Sequence, residues 1–196
     1  MRLVQGYFEL AVEALEPALA RCRSAEFPIY VSRIASFLAA ALASIGRIDD
    51  ALPLINEAIQ HSAVTNLRFS NSLVLSNCGR VCHLAGQHSE ALAHARDAID
   101  VARACGERGN EGWAECLLRE LVSNGADSLA GIQDARGYYG AALTIAEGLG
   151  MLPLQAQCLY GLSRLHNTTG KGSFAEQLAA QATALCPETG MKLLLG

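Results

Sequence analysis

The chain has 196 residues, enough for one sizeable core and too few to require two. Hydrophobic residues make up 51% and aromatics 6%, so the apolar content is mostly Ala and Leu, which favours helix over strand. A formal charge of -4 removes any general electrostatic reason to expect nucleic acid or an anionic membrane, and leaves proteins and small molecules as partners.

The N-terminal stretch MRLVQGYFELAVEALEPALA carries Glu9, Glu13 and Glu16 where a secretory signal needs an unbroken apolar run. The longest uncharged apolar stretch, Ile34 to Ile45, is too short to span a bilayer. The seven cysteines (22, 78, 82, 105, 116, 158, 186) are an odd set scattered through helical segments, which fits reduced thiols rather than a disulfide framework. A cytoplasmic protein without membrane contact is expected.

The first expected element is a lone helix, 6–22, and it introduces a phrase that returns along the chain. GYFELAVEALEPAL from Gly6 is followed by GRIDDALPLINEAI from Gly46, GQHSEALAHARDAI from Gly86 and GKGSFAEQLAAQAT from Gly170. A further copy, GIQDARGYYGAAL, lacks one early residue, so its notional start is 130 and the starts lie 40, 40, 44 and 40 residues apart. Small residues recur at two places in each copy: Ala11, Ala51, Ala91, Ala135 and Ala175, then seven residues on Ala18, Ala58, Ala98, Ala142 and Ala182. Seven residues is about two helical turns, so both alanines lie on one face, where a neighbouring helix can approach closely.

Between the copies lie further helical segments: Phe27 to Ile45, Leu67 to Ala85, Glu111 to Val122 and Pro153 to Thr168. Each repeat is therefore a pair of helices, expected at 27–62, 67–105, 111–149 and 153–186, with a tail at 187–196. A fixed period near 40 marks a solenoid, whose units bury their apolar faces by stacking. Pro28 and Pro153 sit near the starts of first helices, where a missing donor costs little. Gly46, Gly86 and Gly170 fall in the turns inside the pairs, so these glycines, with Gly6, are read as structural. Pro17 and Pro53 fall inside second helices and should kink them or shift their starts. The lone first helix lacks a first-helix partner and a polar cap, so the chain is expected to be a piece of a longer protein.

Leu38-Ala39 before Gly46, Cys78-Gly79 before Gly86 and Leu162-Ser163 before Gly170 carry a resemblance. With the two alanines that follow, the pattern resembles the tetratricopeptide repeat, although the period exceeds the usual 34 and no proline closes each unit. In the fourth unit the matching pair is Leu118-Arg119, an Arg at the small-residue place, followed by the extra residues SNGADSLAG, which implies a looser junction. GNEGWAECLLRELV (109–122), YYGAALTIAEGLGMLPLQAQCLYGLSRLHNTTGK (138–171) and ETGMKLLL are similar to the C-terminal helical repeats of large bacterial signalling proteins, in which a nucleotide cyclase or another output module and an ATPase precede the repeats.

That resemblance implies an all-α, right-handed superhelix of antiparallel helix pairs and a non-catalytic scaffold in a bacterial regulatory or signalling protein, holding a peptide or helix of a partner in a concave groove. Carried over by alignment, the groove places are Arg33 and Ser36; Arg80 and His83; Trp113, Glu120 and Asn124; and Gln157, Tyr160, Arg164 and Asn167. Arg, Trp and Tyr are the types most often found as interface hot spots. Two other readings stand beside this one: an effector-sensing domain that controls an upstream ATPase or cyclase module, and a self-association module that forms a homodimer.

No cofactor, metal or catalytic residue is expected. Cys78, Cys82 and His83 lie a turn apart or closer, a spacing that zinc ligands also use, but Cys78 and Cys82 take the helix-packing places that Leu38 and Leu42 fill one repeat earlier. TGKGSF (169–174) departs twice from a phosphate-binding loop, because Gly172 follows the Lys and Leu165 stands where the upstream Gly belongs. No Ser, Cys or His falls in a nucleophile motif.

Overall fold

A computed structural model describes residues 3, 5–25, 27–65, 71–123, 129–168 and 172–190. Among them are α1 (Phe8–Ser24), α2 (Pro28–Ser44), α3 (Ile48–Thr65), α4 (Asn71–Leu84), α5 (His88–Cys105), α6 (Arg108–Ser123), α7 (Leu129–Gly148), α8 (Leu152–Thr168) and α9 (Gly172–Thr189), and no strand. The lone helix runs Phe8–Ser24 where 6–22 was expected, the fourth unit opens at Arg108, and α9 continues through Pro187 to Thr189, into the residues assigned to the tail.

Glycines stop the helices. At the end of α2 the Arg47 N–H donates to Leu42 O at 2.9 Å, and at the end of α4 the Gln87 N–H donates to Cys82 O at 2.8 Å. Each bond closes over a glycine with positive φ, +83° at Gly46 and +76° at Gly86, a conformation that side chains with a Cβ avoid. Gly106 and Gly150 do the same at the ends of α5 and α7, beneath the Glu107 to Ala102 and Met151 to Ala146 bonds. They make the turns between repeats as Gly46 and Gly86 make those within them. The turn expected at Gly170 lies outside the described residues.

Pro17 and Pro53 leave the helix starts where they are: α1 and α3 run through them. Both prolines are on the exposed face, where water can take up the carbonyl that each deprives of a donor.

The helices pack in two layers. Each odd helix lies against its chain neighbours, while α2, α4, α6 and α8 also touch in succession. No two odd helices meet among the described residues. The even layer is therefore the short, inner side of a curved stack and the odd layer its outer side.

The recurrent small residues explain the closeness. Ala51, Ala58, Ala91, Ala98, Ala142, Ala175 and Ala182 are fully buried and Ala11 nearly so, whereas Ala18 at the end of the stack is only partly covered. The side chain of Ala135 lies outside the described residues. Cys78 and Cys82 are core residues, at 0% and 5% exposure, and burial pushes the Cys78 thiol up to about 12. One apolar cluster runs from α1 to α6, and a second joins α6, α7 and α8 through Cys116, Tyr139, Ala142, Ala146, Leu154 and Cys158.

Polar bonds tie the layers where the sequence is not apolar. Ser32 Oγ donates to Ala58 O at 2.8 Å, from α2 to α3, and Asn77 Nδ2 donates to Ser36 Oγ at 3.1 Å, from α4 to α2. Between α5 and α6, Arg103 reaches Glu111 at 2.9 Å and Glu115 at 2.6 Å, and within α6 Arg108 pairs with the same Glu111 at 2.5 Å. Glu111 and Glu115 are both buried. Burial raises the Glu115 carboxyl above its ordinary range; Arg103 pulls it down and Glu111 pushes it up.

Candidate functional site: the inner-layer face

The inner layer presents side chains from α4, α6 and α8 in successive rows. Arg80 and His83 stand on α4, half-buried; Trp113 and Glu120 stand half-buried on α6; Gln157 and Tyr160 are half-buried on α8, with Arg164 and Asn167 exposed beyond them. Helix stacking sets this arrangement, because residues at corresponding places of successive even helices fall on the same side of the layer.

Not every expected groove residue is available. Ser36 is 1% exposed, and its hydroxyl donates to Arg33 O at 2.9 Å while accepting from Asn77, so it locks α2 to α4 and faces no partner. Trp113 packs against the second apolar cluster, which holds much of the indole inside. Glu120 accepts from Gln157 Nε2 at 2.9 Å and so bridges α6 to α8. Arg33 is exposed on α2, and Asn124 lies outside the described residues.

His83 lies 6.5 Å from the His88 ring, and burial lowers its pKa, with Glu120 acting in the opposite direction. Among the described residues no three His, Cys, Asp or Glu side chains gather as a metal site requires. None of their helices is long and apolar enough to cross a membrane.

The most unusual chemistry is one residue off this face. Arg119 is 2% exposed, and its Nε and Nη1 are buried without hydrogen-bond partners. Its guanidinium carbon sits 4.6 Å from the centroid of the Tyr139 ring on α7. Tyr139 in turn lies so close to Gly161 of α8 that a Cβ there would overlap the phenol.

The repeat register explains the pair. Arg119 takes the place of Ala39 and Gly79, and Tyr139 the place of Ile55 and Ala95. At Gly79 the helices approach so closely that a Cβ would lie 3.2 Å from Ala91 O and 3.5 Å from Ala95 N. In the fourth unit two large side chains replace that small-residue contact. The Arg at a small-residue place was visible in the sequence; its stacking on Tyr139 was not.

Residues 30–104 match the family model described as Tetratricopeptide repeat. Among curated proteins no sequence matches the chain. Among solved structures the chain is similar to BtubC (BKLC) from P. vanneervenii, with TM-score 0.68 and 19% identity over 100% of this chain and 79% of that one. It is also similar to a putative kinesin light chain with nearly identical TPR-like repeats from Podosopora anserina: a single-substitution variant of it gives TM-score 0.61 and 20% identity over 96% of this chain and 91% of that one. A second structure of those repeats gives 0.59 and 19% over 97% and 92%. At such identities the likeness speaks for the fold. The chain is thus a tetratricopeptide-like solenoid throughout, with residues 30–104 matching the repeat family itself.

Proposed function

We propose that this chain is a non-catalytic scaffold of a bacterial regulatory or signalling protein, and that a peptide or helix of a protein partner lies along the inner face of its even-numbered helices. Tetratricopeptide repeats generally serve protein interaction. The observation that carries the specific reading is the run of half-buried Arg80, His83 and Tyr160 and exposed Arg164 across α4 and α8, with Glu120 between them already engaged by Gln157.

Arginine can pair a carboxylate through two parallel bonds, and Tyr adds rigid contact area at low entropic cost. Three groove arginines, Arg33, Arg80 and Arg164, stand against one carboxylate with a neighbour, so the expected partner segment is acidic. The Lys and Asn arrangement of repeats that clamp a C-terminal carboxylate is absent from the aligned places, which directs the reading toward internal acidic residues of the partner.

The test compares the chain with its Arg80→Glu, Arg164→Glu variant in capture from host lysate, after matching their helicity, followed by reconstitution with the purified captured protein. Direct binding to the wild type, weakened at least tenfold in the variant, supports the reading. Equal binding by both forms moves the contact off the inner face.

A further inference from the structure

We propose that Arg119 anchors a site for a small oxyanion, a carboxylate or a phosphate, at the junction of α6, α7 and α8.

A guanidinium is charged at any physiological pH, so burying it without a counter-ion is costly unless an anion supplies one. In the α5–α6 junction the same chain shows the usual arrangement: Arg103 and Arg108 divide Glu111 and Glu115 between them. Among the described residues no carboxylate forms an ion pair with Arg119. Its Nε and Nη1 belong to the two different edges of the guanidinium fork, and both are buried without a hydrogen-bond partner.

The surroundings favour an anion over a cation. Glu120, next along α6, is held by Gln157. Glu120 attracts Arg119 without reaching ion-pair distance, Arg164 on α8 repels it, and the Tyr139 ring presents its π face. The positive charge at this junction thus exceeds the negative charge set against it. An oxyanion with two oxygens can accept along either edge of the fork, a geometry that chloride lacks.

The position also excludes a merely inherited role. Its counterparts Ala39 and Gly79 are small and buried in a tight helix crossing, which needs no charge. Tyr139 stands where Ala95 does, and its ring packs against the long side chain, 4.6 Å from the guanidinium carbon. This site is separate from the peptide reading above and stands or falls without it.

The test uses the whole chain labelled with 15N, and follows the Arg119 Nε–H resonance, assigned by its loss in Arg119→Met. Sodium phosphate and sodium acetate are titrated in turn, each against sodium chloride at matched ionic strength. A saturable shift with either anion supports the site, and which one saturates tells a phosphoryl group from a carboxylate. In parallel the saturating anion should raise the unfolding midpoint by about 3–6 °C at ten times its dissociation constant. Arg119→Met should lose that rise, and Arg164→Gln should reduce it. An Nε–H that follows only ionic strength, or a rise that persists in folded Arg119→Met, overturns the proposal.

Discussion

Replacing Gly161 by Ala tests the packing of the fourth and fifth units most directly. In an ordinary helix interior the change stabilises by about 1 kcal/mol, because Ala has the better helix propensity. Here the added Cβ would overlap three atoms of the Tyr139 ring, Oη, Cζ and Cε1. The ring cannot simply rotate away: Tyr139 is 4% exposed and the Arg119 guanidinium lies over its face. Forcing such a contact in a packed core costs about 2–3 kcal/mol. The net effect should be a loss of about 1–2 kcal/mol, read from urea melts followed by circular dichroism. In a Tyr139→Leu background the obstacle is shorter, so the same Gly161→Ala change should reverse sign and stabilise by up to about 1 kcal/mol. Gly161→Ala that is neutral or stabilising in the wild-type chain, or that behaves alike in both backgrounds, would refute the wedge.

Three further outcomes follow from the same structure. In chloride buffer, Arg119→Met should stabilise the chain by about 1–3 kcal/mol, since two unpaired buried donors outweigh a cation–π contact of about 1–2 kcal/mol; a clear loss in a thermal melt would count against this. Gly106→Ala, at φ +70°, should cost about 1 kcal/mol in a urea melt, whereas a substitution at a helical glycine with open space around it, such as Gly140, should not. Glu115 has a folded-state pKa raised by burial, so its favourable contribution is fully present below the ordinary value of 4.5 and is lost as pH rises through the raised value. The midpoint of wild type relative to Glu115→Gln should therefore be higher on the acid side of that window and fall as pH rises through it; an unchanged difference would show that the carboxyl is not perturbed.

Much of the architecture was legible because repetition amplifies a weak signal. One alanine in a helix says little, but Ala51, Ala91 and Ala175 at one repeat place mark a helix crossing, and all three are fully buried. The glycines within the pairs were equally plain. Gly106 and Gly150, which end the outer helices, carry no such repeated signal, because the repeated phrase begins at the turn within a pair and the turn between repeats varies in length.

The inner-face residues were harder to judge. Alignment assigns Ser36 and Arg80 to the same kind of place, but Ser36 is small enough for Asn77 to close over it, while Arg80 is long enough to reach out. Burial depends on the neighbour in the next repeat, about forty residues away, and no local pattern records it. Glu120 likewise aligns with a groove place, yet its bond to Gln157 crosses the seam and commits it to α8.

Helix pairs, their order and their stacking were thus written in the chain itself, since they follow from local periodicity, glycine punctuation and small residues at a fixed interval. Which polar side chains stay available was settled by packing between distant repeats. That packing joined Arg119, Tyr139 and Gly161, three residues that are ordinary apart and constrain one another together, because two helices brought side by side must share the same volume.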